Sequence, residues 1–342
     1  MVDHMNRCLF GMAAALLGLG PEPGPTSTRF EYAETHMSSH FRIVLYTDRE
    51  ETARSASRAA FARIAELDAA LSDYQPDSEL ARLCGQAGGP PAHVGADLFD
   101  VLARSRAMSE RSGGAFDVTV GPVVRLWRRA RRDRKMPAPE RLAGARALVG
   151  YEALRLDPEA RTVRLLKPGM KLDVGGIAKG YAGDEAIRVL KRHGIDRALV
   201  AGGGDIVVSG PPPGRDGWSI GIASLEPSRA APSRFIALRD AAISTAGDAE
   251  RYVEIDGRRY SHIIDPWTGL GVVDRCGVTV VARDGATADS LDTAVYVLGP
   301  ERGLPLVEAT QGAAALIIRS IDATVQIFES RRWREIPQAG PE

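Results

Sequence analysis

Asp289 and Thr293 stand four residues apart in Ala288-Asp289-Ser290-Leu291-Asp292-Thr293, a spacing that stacks a carboxylate and a hydroxyl on one face of a helix. Both are hard oxygen donors. They suit Mg²⁺, which takes few protein ligands and fills its remaining positions with phosphate oxygens and water. An acidic side chain this close to a helix start also serves as an ordinary cap. A second concentration of chemistry is Leu172-Asp173-Val174-Gly175-Gly176-Ile177-Ala178-Lys179-Gly180, which runs into a segment with apolar Ile187, Val189 and Leu190 and ends at Gly194. A glycine turn that opens a helix offers backbone N–H groups and the positive end of the dipole to an anion. Lys179 adds a point charge. Because Gly180 follows it where a Walker A loop has Ser or Thr, the stretch is a phosphate-handling turn of another kind. The third constellation is Tyr260-Ser261-His262-Ile263-Ile264-Asp265-Pro266-Trp267-Thr268-Gly269. His262 suits a proton acceptor, and Asp265 ahead of Pro266 suits the residue that holds its loop.

The elements that must position these groups are readable from periodicity. The β-branched and aromatic run His40–Thr47 predicts a strand, and Asp48 with Glu51 resembles a capping box opening a helix with Ala60, Ile64, Leu67 and Leu71 on one face. That helix leads to Ser72-Asp73-Tyr74, where Tyr74 in a polar loop offers a platform for a flat ring. A second amphipathic helix, Ala96–Arg111, is stopped by Ser112-Gly113-Gly114, so that the short apolar segment after it could bring Phe116 and Asp117 to a pocket wall. Thr162–Leu172 reads as strand, turn, strand. Gly202-Gly203-Gly204 inside an apolar run predicts a bulge or a close approach. Asp256-Gly257 between alternating residues predicts a hairpin that delivers His262 at the end of its second strand. A last helix opens at Ala286 and stops at Gly299.

Composition bounds the function. At 342 residues with 44% hydrophobic and 26% charged residues, the chain is globular, and equal counts of 44 basic and 44 acidic residues give no global field for nucleic acid. Arg125–Lys135 holds seven basic residues and one Asp, which reads as a solvated helical face or as a patch for an acidic partner or lipid headgroups. Cys8, Cys84 and Cys276 lack metal spacing, and a bridge between Cys84 and Cys276 stays open. The apolar run Cys8–Leu19 after Arg7 has the length of a signal-peptide core, without a clear cleavage site. Export to the periplasm or the inner-membrane surface, with peripheral membrane association, is the expectation, and a cytoplasmic location is the alternative.

Seven motifs in fixed order resemble the ApbE family of FAD:protein FMN transferases: Ser72 to Tyr74, Ser112 to Asp117, Leu172 to Ala182, Gly203 to Asp205, Ser244 to Asp248, His262 to Gly269 and Ala288 to Thr293. The resemblance implies an α+β fold in a single domain (29–337), preceded by the signal-like or flexible segment (1–28) and followed by a short tail (338–342). Two intimately packed lobes with mixed or antiparallel sheets and flanking helices would hold the flavin dinucleotide between them. It further implies Mg²⁺ held by Asp289, Thr293 and the backbone carbonyl of Gly176. FAD contacts would come from Met37, Tyr74, Ala115, Phe116, Asp117, Asp173, Lys179, Ile263 and Ala286, and His262, Asp265 and Lys179 would serve the chemistry. The expected activity moves FMN from FAD to a Thr or Ser hydroxyl of an acceptor flavoprotein and releases AMP. The alternatives are an FAD pyrophosphatase and a non-catalytic FAD carrier, and the protein would act as a monomer or homodimer. Where the family usually has Met-Gly-Thr this chain has Met37-Ser38-Ser39, and where it commonly has Asn this chain has Cys84. Ala249 also departs, standing where a bulkier residue often follows the aspartate of the Ser244–Asp248 motif.

Overall fold

In the computed structural model, residues 27–225, 232, 234–247, 252–321 and 324–341 are described. The apolar residues Phe41 and Ile43 to Tyr46 lie in the strand Ser39–Thr47, whose neighbours are Thr28–His36 and Ala198–Gly202. Phe41, Ile43 and Leu45 point to one face of the sheet, Val44 and Tyr46 to the other. Cover on both faces explains why alternation, with exposed His40 and Arg42 on one side, gives way to the unbroken apolar stretch Ile43 to Tyr46. Across the eight-stranded sheet the order continues through Asp205–Val208, Ala241–Gly247, Arg275–Ala282, Ala314–Ile321 and Thr324–Glu329. Every pairing in it is antiparallel, so of the mixed or antiparallel sheets expected, the structure has the second.

The helices are α1 (Glu50–Leu71), α2 (Glu79–Gly85), α3 (Ala96–Ser112), α4 (Gly121–Asp133), α5 (Pro139–Arg146), α6 (Ala178–Arg192) and α7 (Gly285–Glu308). α1, α3, α6 and α7 pack their apolar sides with the first face of the sheet into the main core, which buries Ile64, Leu67, Leu102, Leu190 and Leu291 completely. Burial of such side chains contributes about 1.5–3 kcal/mol each. A three-stranded sheet including Trp218–Gly221 and Phe235–Leu238 covers the second face with Trp333. A separate apolar cluster joins Val123, Trp127 and Ala130 of α4 to Val253, Ile255, Tyr260 and Ile264.

Several local expectations change. α1 begins at Glu50 with Arg49 as its cap and no side-chain cap bond, so the capping box at Asp48 does not form; Glu50 and Glu51 favour the helix start through the dipole instead. Of the predicted pair over Thr162–Leu172 only Thr162–Leu165 is a strand. Leu172 N instead donates to Cys84 Sγ and Asp173 N to Val118 O, partners that no ladder supplies. The glycine run is no bulge: Gly202 pairs with Asp205, and Gly203-Gly204 form the hairpin turn. Cys84 and Cys276 are both buried and no disulfide joins them. Gly299, at φ 70°, breaks α7 where the sequence predicts a stop.

Candidate active site

The crossing of α6 and α7 sets the site. A Cβ on Gly180 would lie 2.1 Å from Gly285 O, and one on Gly285 would lie 2.3 Å from Gly180 O, so only glycine lets the two helices touch here. That contact brings Gly180 N to Asp289 Oδ2 at 3.1 Å and leaves Lys179 Nζ 3.7 Å from the same oxygen. Lys179 donates to Asp205 Oδ2 at 2.6 Å. Ser244 Oγ lies 2.6 Å from both Asp205 Oδ1 and Asp292 Oδ2. Thr293 Oγ1 donates to Asp292 Oδ1 at 3.2 Å. Gly203 in the hairpin turn lines the aliphatic stem of Lys179, its would-be Cβ 3.4 Å from Lys179 Cδ and Cε.

Three buried aspartates therefore share one lysine. Burial, and then the charge of Asp205, push the Asp289 carboxyl up to about 7, against the pull of Lys179. Asp292 is raised well above the carboxylate range by burial and by Asp289 and Asp205. Burial opposes the charge of Lys179, yet Asp205 and Asp289 outweigh it and hold the ammonium protonated. A hydroxyl has one proton, so Ser244 cannot donate to Asp205 and Asp292 together. With short contacts on both sides of Ser244, burial and the neighbouring Asp289 and Asp205 favour the protonated form of Asp292.

This cluster has room in its charge for a cation. Among the described residues no group of three or more His, Cys, Asp and Glu forms a metal-holding set. A Mg²⁺ bound through one carboxylate, one hydroxyl and one backbone carbonyl needs no such set. Asp289 and Thr293 are both on α7, as the spacing predicts, and a Cβ on Gly176 would lie 3.0 Å from Thr293 Oγ1 and 3.3 Å from Phe116. Glycine keeps that approach open, and the donor chemistry fits a hard cation.

The remaining predicted residues each have their own local surroundings. Phe116 and Ala115 are buried, and Phe116 abuts Gly176. Asp117 accepts at Oδ1 from Thr119 N and Oγ1 and at Oδ2 from Tyr151 N, so its carboxylate holds the turn after α3. Asp173 accepts from Gly175 N at 2.9 Å, closing the glycine turn. Met37 lies in a hairpin turn, its N–H bonded to Asp68 Oδ2 at 2.8 Å. Ala286 N donates to Asp184 Oδ2 at 3.0 Å and Gly285 N to Asp184 Oδ1 at 2.7 Å. Asp184, raised to about 6 by burial against those two donors, thereby caps α7 from α6.

The hairpin Tyr252–Ile255 and Arg258–Ser261 turns at Asp256-Gly257, both with positive φ, and His262 follows its second strand. Asp265 Oδ1 accepts from Trp267 N at 2.8 Å, and Trp127 Nε1 donates to Gly269 O at 2.8 Å. These bonds make the loop rigid and occupy Asp265 with it. Trp267 packs beside Gly114, next to the segment that carries Phe116. Ile263 is buried in the main core. Tyr74 is 69% exposed, with the Arg128 guanidinium 4.1 Å from its ring centroid. Asp248 and Ala249 lie outside the described residues.

Sequence reasoning missed Asp205, Ser244 and Asp292 as members of one cluster, although each lies in a motif it singled out. It also missed Arg128. The helical period places Arg128 on α4 among four other arginines and gives no sign of which one turns inward.

The fold and this centre define an antiparallel α+β protein with a buried aspartate–lysine cluster beside a glycine turn. The sequence pattern of the ApbE family matches residues 37–317, and the chain belongs to that family. An FAD:protein FMN transferase of Treponema pallidum is 33% identical over 323 residues, 90% of this chain and 89% of the relative. Another, of Vibrio cholerae, is 36% identical over 263 residues, 75% and 77% of the two chains. Among solved structures, the flavin transferase ApbE from Vibrio cholerae superposes with a TM-score of 0.82 at 30% identity, covering 91% of this chain and 99% of that one. The apo form of the Pseudomonas stutzeri flavinyl transferase ApbE gives 0.80 at 30% identity, with 92% and 98% covered.

Proposed function

We propose that this protein transfers FMN from FAD to a Thr or Ser hydroxyl of an acceptor flavoprotein and releases AMP. The observation that carries the reading is the Lys179–Asp205–Asp289 cluster at the crossing of α6 and α7, beside Gly176 and Thr293, in a chain whose relatives are named for that reaction. In the reaction, the acceptor oxygen attacks the FMN phosphorus, the bond from that phosphorus to the bridging oxygen breaks, and AMP leaves with the oxygen. The hydroxyl proton goes to His262 or a nearby carboxylate.

Such a phosphoryl transfer is served by positioning and charge neutralisation more than by covalent help from the enzyme. Mg²⁺, held by Asp289, Thr293 and the Gly176 carbonyl, would supply charge neutralisation at the pyrophosphate. Lys179 supplies a fixed positive charge and Asp205 fixes its position. The Gly175-Gly176 turn allows backbone to approach phosphate. Tyr74 offers its ring to the isoalloxazine, and Phe116 closes the apolar side. Export to the periplasm rests on the run Cys8–Leu19. Among the described residues no helix is long and apolar enough to cross a membrane.

Incubation with FAD, Mg²⁺ and a candidate acceptor domain tests the reading by chromatography of the nucleotides. One AMP released for each FAD consumed, with no free FMN, is expected. Equal amounts of free FMN and AMP would make the protein a pyrophosphatase, and intact FAD that stays bound would make it a carrier.

A further inference from the structure

Arg128 leaves the basic face of α4 and reaches three partners on two other segments. One Nη donates to Asp73 Oδ2, the other to Asp173 Oδ2 at 2.9 Å. The same guanidinium lies 4.1 Å from the centroid of the Tyr74 ring. Asp73 and Tyr74 belong to the loop after α1, which Ser72 Oγ closes by accepting from Tyr74 N at 3.3 Å and Gln75 N at 3.2 Å. Asp173 belongs to the glycine turn that leads to Lys179. One side chain thus ties the ring platform to the phosphate turn, across 55 residues of sequence on one side and 45 on the other.

With the guanidinium against one face of Tyr74, the ring is still 69% exposed, and its other face is open to a flat ligand. We infer that Arg128 is a positioning residue for FAD: it fixes the free face of Tyr74 at a set distance from the Asp173 turn, so that the isoalloxazine and the pyrophosphate are held together. This rests on the reading of the site as an FAD site. The role needs arginine. Its planar fork serves two carboxylates and stacks on an aromatic ring at once, whereas the lysine ammonium is a single point charge on a flexible stem.

The experiment is FAD titration by flavin fluorescence quenching, with steady-state kinetics, on the full chain and on Arg128→Met, Arg128→Lys, Tyr74→Ala and the Arg128→Met/Tyr74→Ala double variant. Arg128→Met should weaken FAD binding about tenfold or more and raise KM accordingly, with kcat at saturating FAD within about twofold. Arg128→Lys should restore little of it. Tyr74→Ala should cost less in the Arg128→Met background than alone, because the ring has already lost its fixed position. Unchanged FAD affinity in Arg128→Met, full rescue by Lys, or strictly additive losses would each overturn the inference. A fall in kcat with KM unchanged would also overturn it, since a residue that only supports the fold acts that way. If the unaltered chain binds no FAD, the functional reading fails together with the inference; if it binds and the Arg128 variants match it, only the inference fails.

Discussion

Lys179 is the residue on which the local electrostatics turn. Its ammonium is bonded to Asp205 and close to Asp289, so it stabilises the carboxylates. Removing one partner of a buried pair leaves the other charge uncompensated, at a cost of about 3–5 kcal/mol. Lys179→Met should therefore lower the melting temperature as well as kcat, the rate by about one to three powers of ten. Thermal unfolding and steady-state kinetics check this, and a variant that melts like the parent would show that the lysine is not what holds the cluster. Lys179, Asp289, Thr293 and the glycines could be read from residue type and spacing because each sits in a local pattern with a physical meaning. Asp205, Ser244 and Asp292 could not be joined that way: they are 39 and 48 residues apart, and only the sheet and α7 bring them within 2.6 Å. Asp117 and Asp265 show the opposite. Their patterns drew attention to real turns, which their carboxylates hold: Asp265 bonds Trp267 N, and Asp117 bonds Thr119 and reaches Tyr151 N.

At the scale of elements, the crossing of α6 and α7 is the feature most sensitive to a single atom. Gly180→Ala places a methyl where Gly285 O and Asp289 Cβ already stand, at 2.1 and 2.9 Å. The helices must separate. Overpacking of this kind costs about 1–3 kcal/mol, and here it also draws Asp289 away from Lys179, so melting temperature and FAD turnover should fall together. Wild-type turnover in Gly180→Ala would mean that the crossing does not set the site. The first hairpin predicts the reverse. Ser38 sits at φ 55°, a left-handed conformation that costs a non-glycine residue about 1–2 kcal/mol, so Ser38→Gly should stabilise the protein by about 0.5–1 kcal/mol in denaturant titration. Hairpin and helix stops were legible because Asp256-Gly257, Gly113-Gly114 and Gly299 have strong local conformational meaning. The missing second strand before Asp173 was not, since an apolar run says that a segment is buried and not what its backbone bonds to.

Over the whole molecule, burying acid groups makes stability depend on pH. Asp184 and Asp289 have folded pKa values of about 6 and about 7, above the ordinary aspartate value near 3.9, so the native state keeps protons that the unfolded chain gives up. Their contribution is fully present below about pH 4 and is lost as pH rises through 6 and 7. Asp97, Glu31 and Glu308, held low by arginine or backbone donors, titrate below that window. Urea unfolding of the ligand-free protein should accordingly show stability falling between pH 5 and 8, on the order of a few kcal/mol, with a shallower fall in Asp289→Asn. A stability that rises with pH across that range would contradict the burial argument.

The same cluster, closed over by both helices and the sheet, is the basis of the functional proposal, and intact-mass spectrometry of an acceptor domain tests it most directly. After incubation with FAD and Mg²⁺, the acceptor should gain the mass of one FMN, and should not gain it when the enzyme carries Asp289→Ala or the metal is chelated. An acceptor flavinylated as well by Asp289→Ala, or without divalent metal, would contradict the assignment of this cluster as the site of transfer.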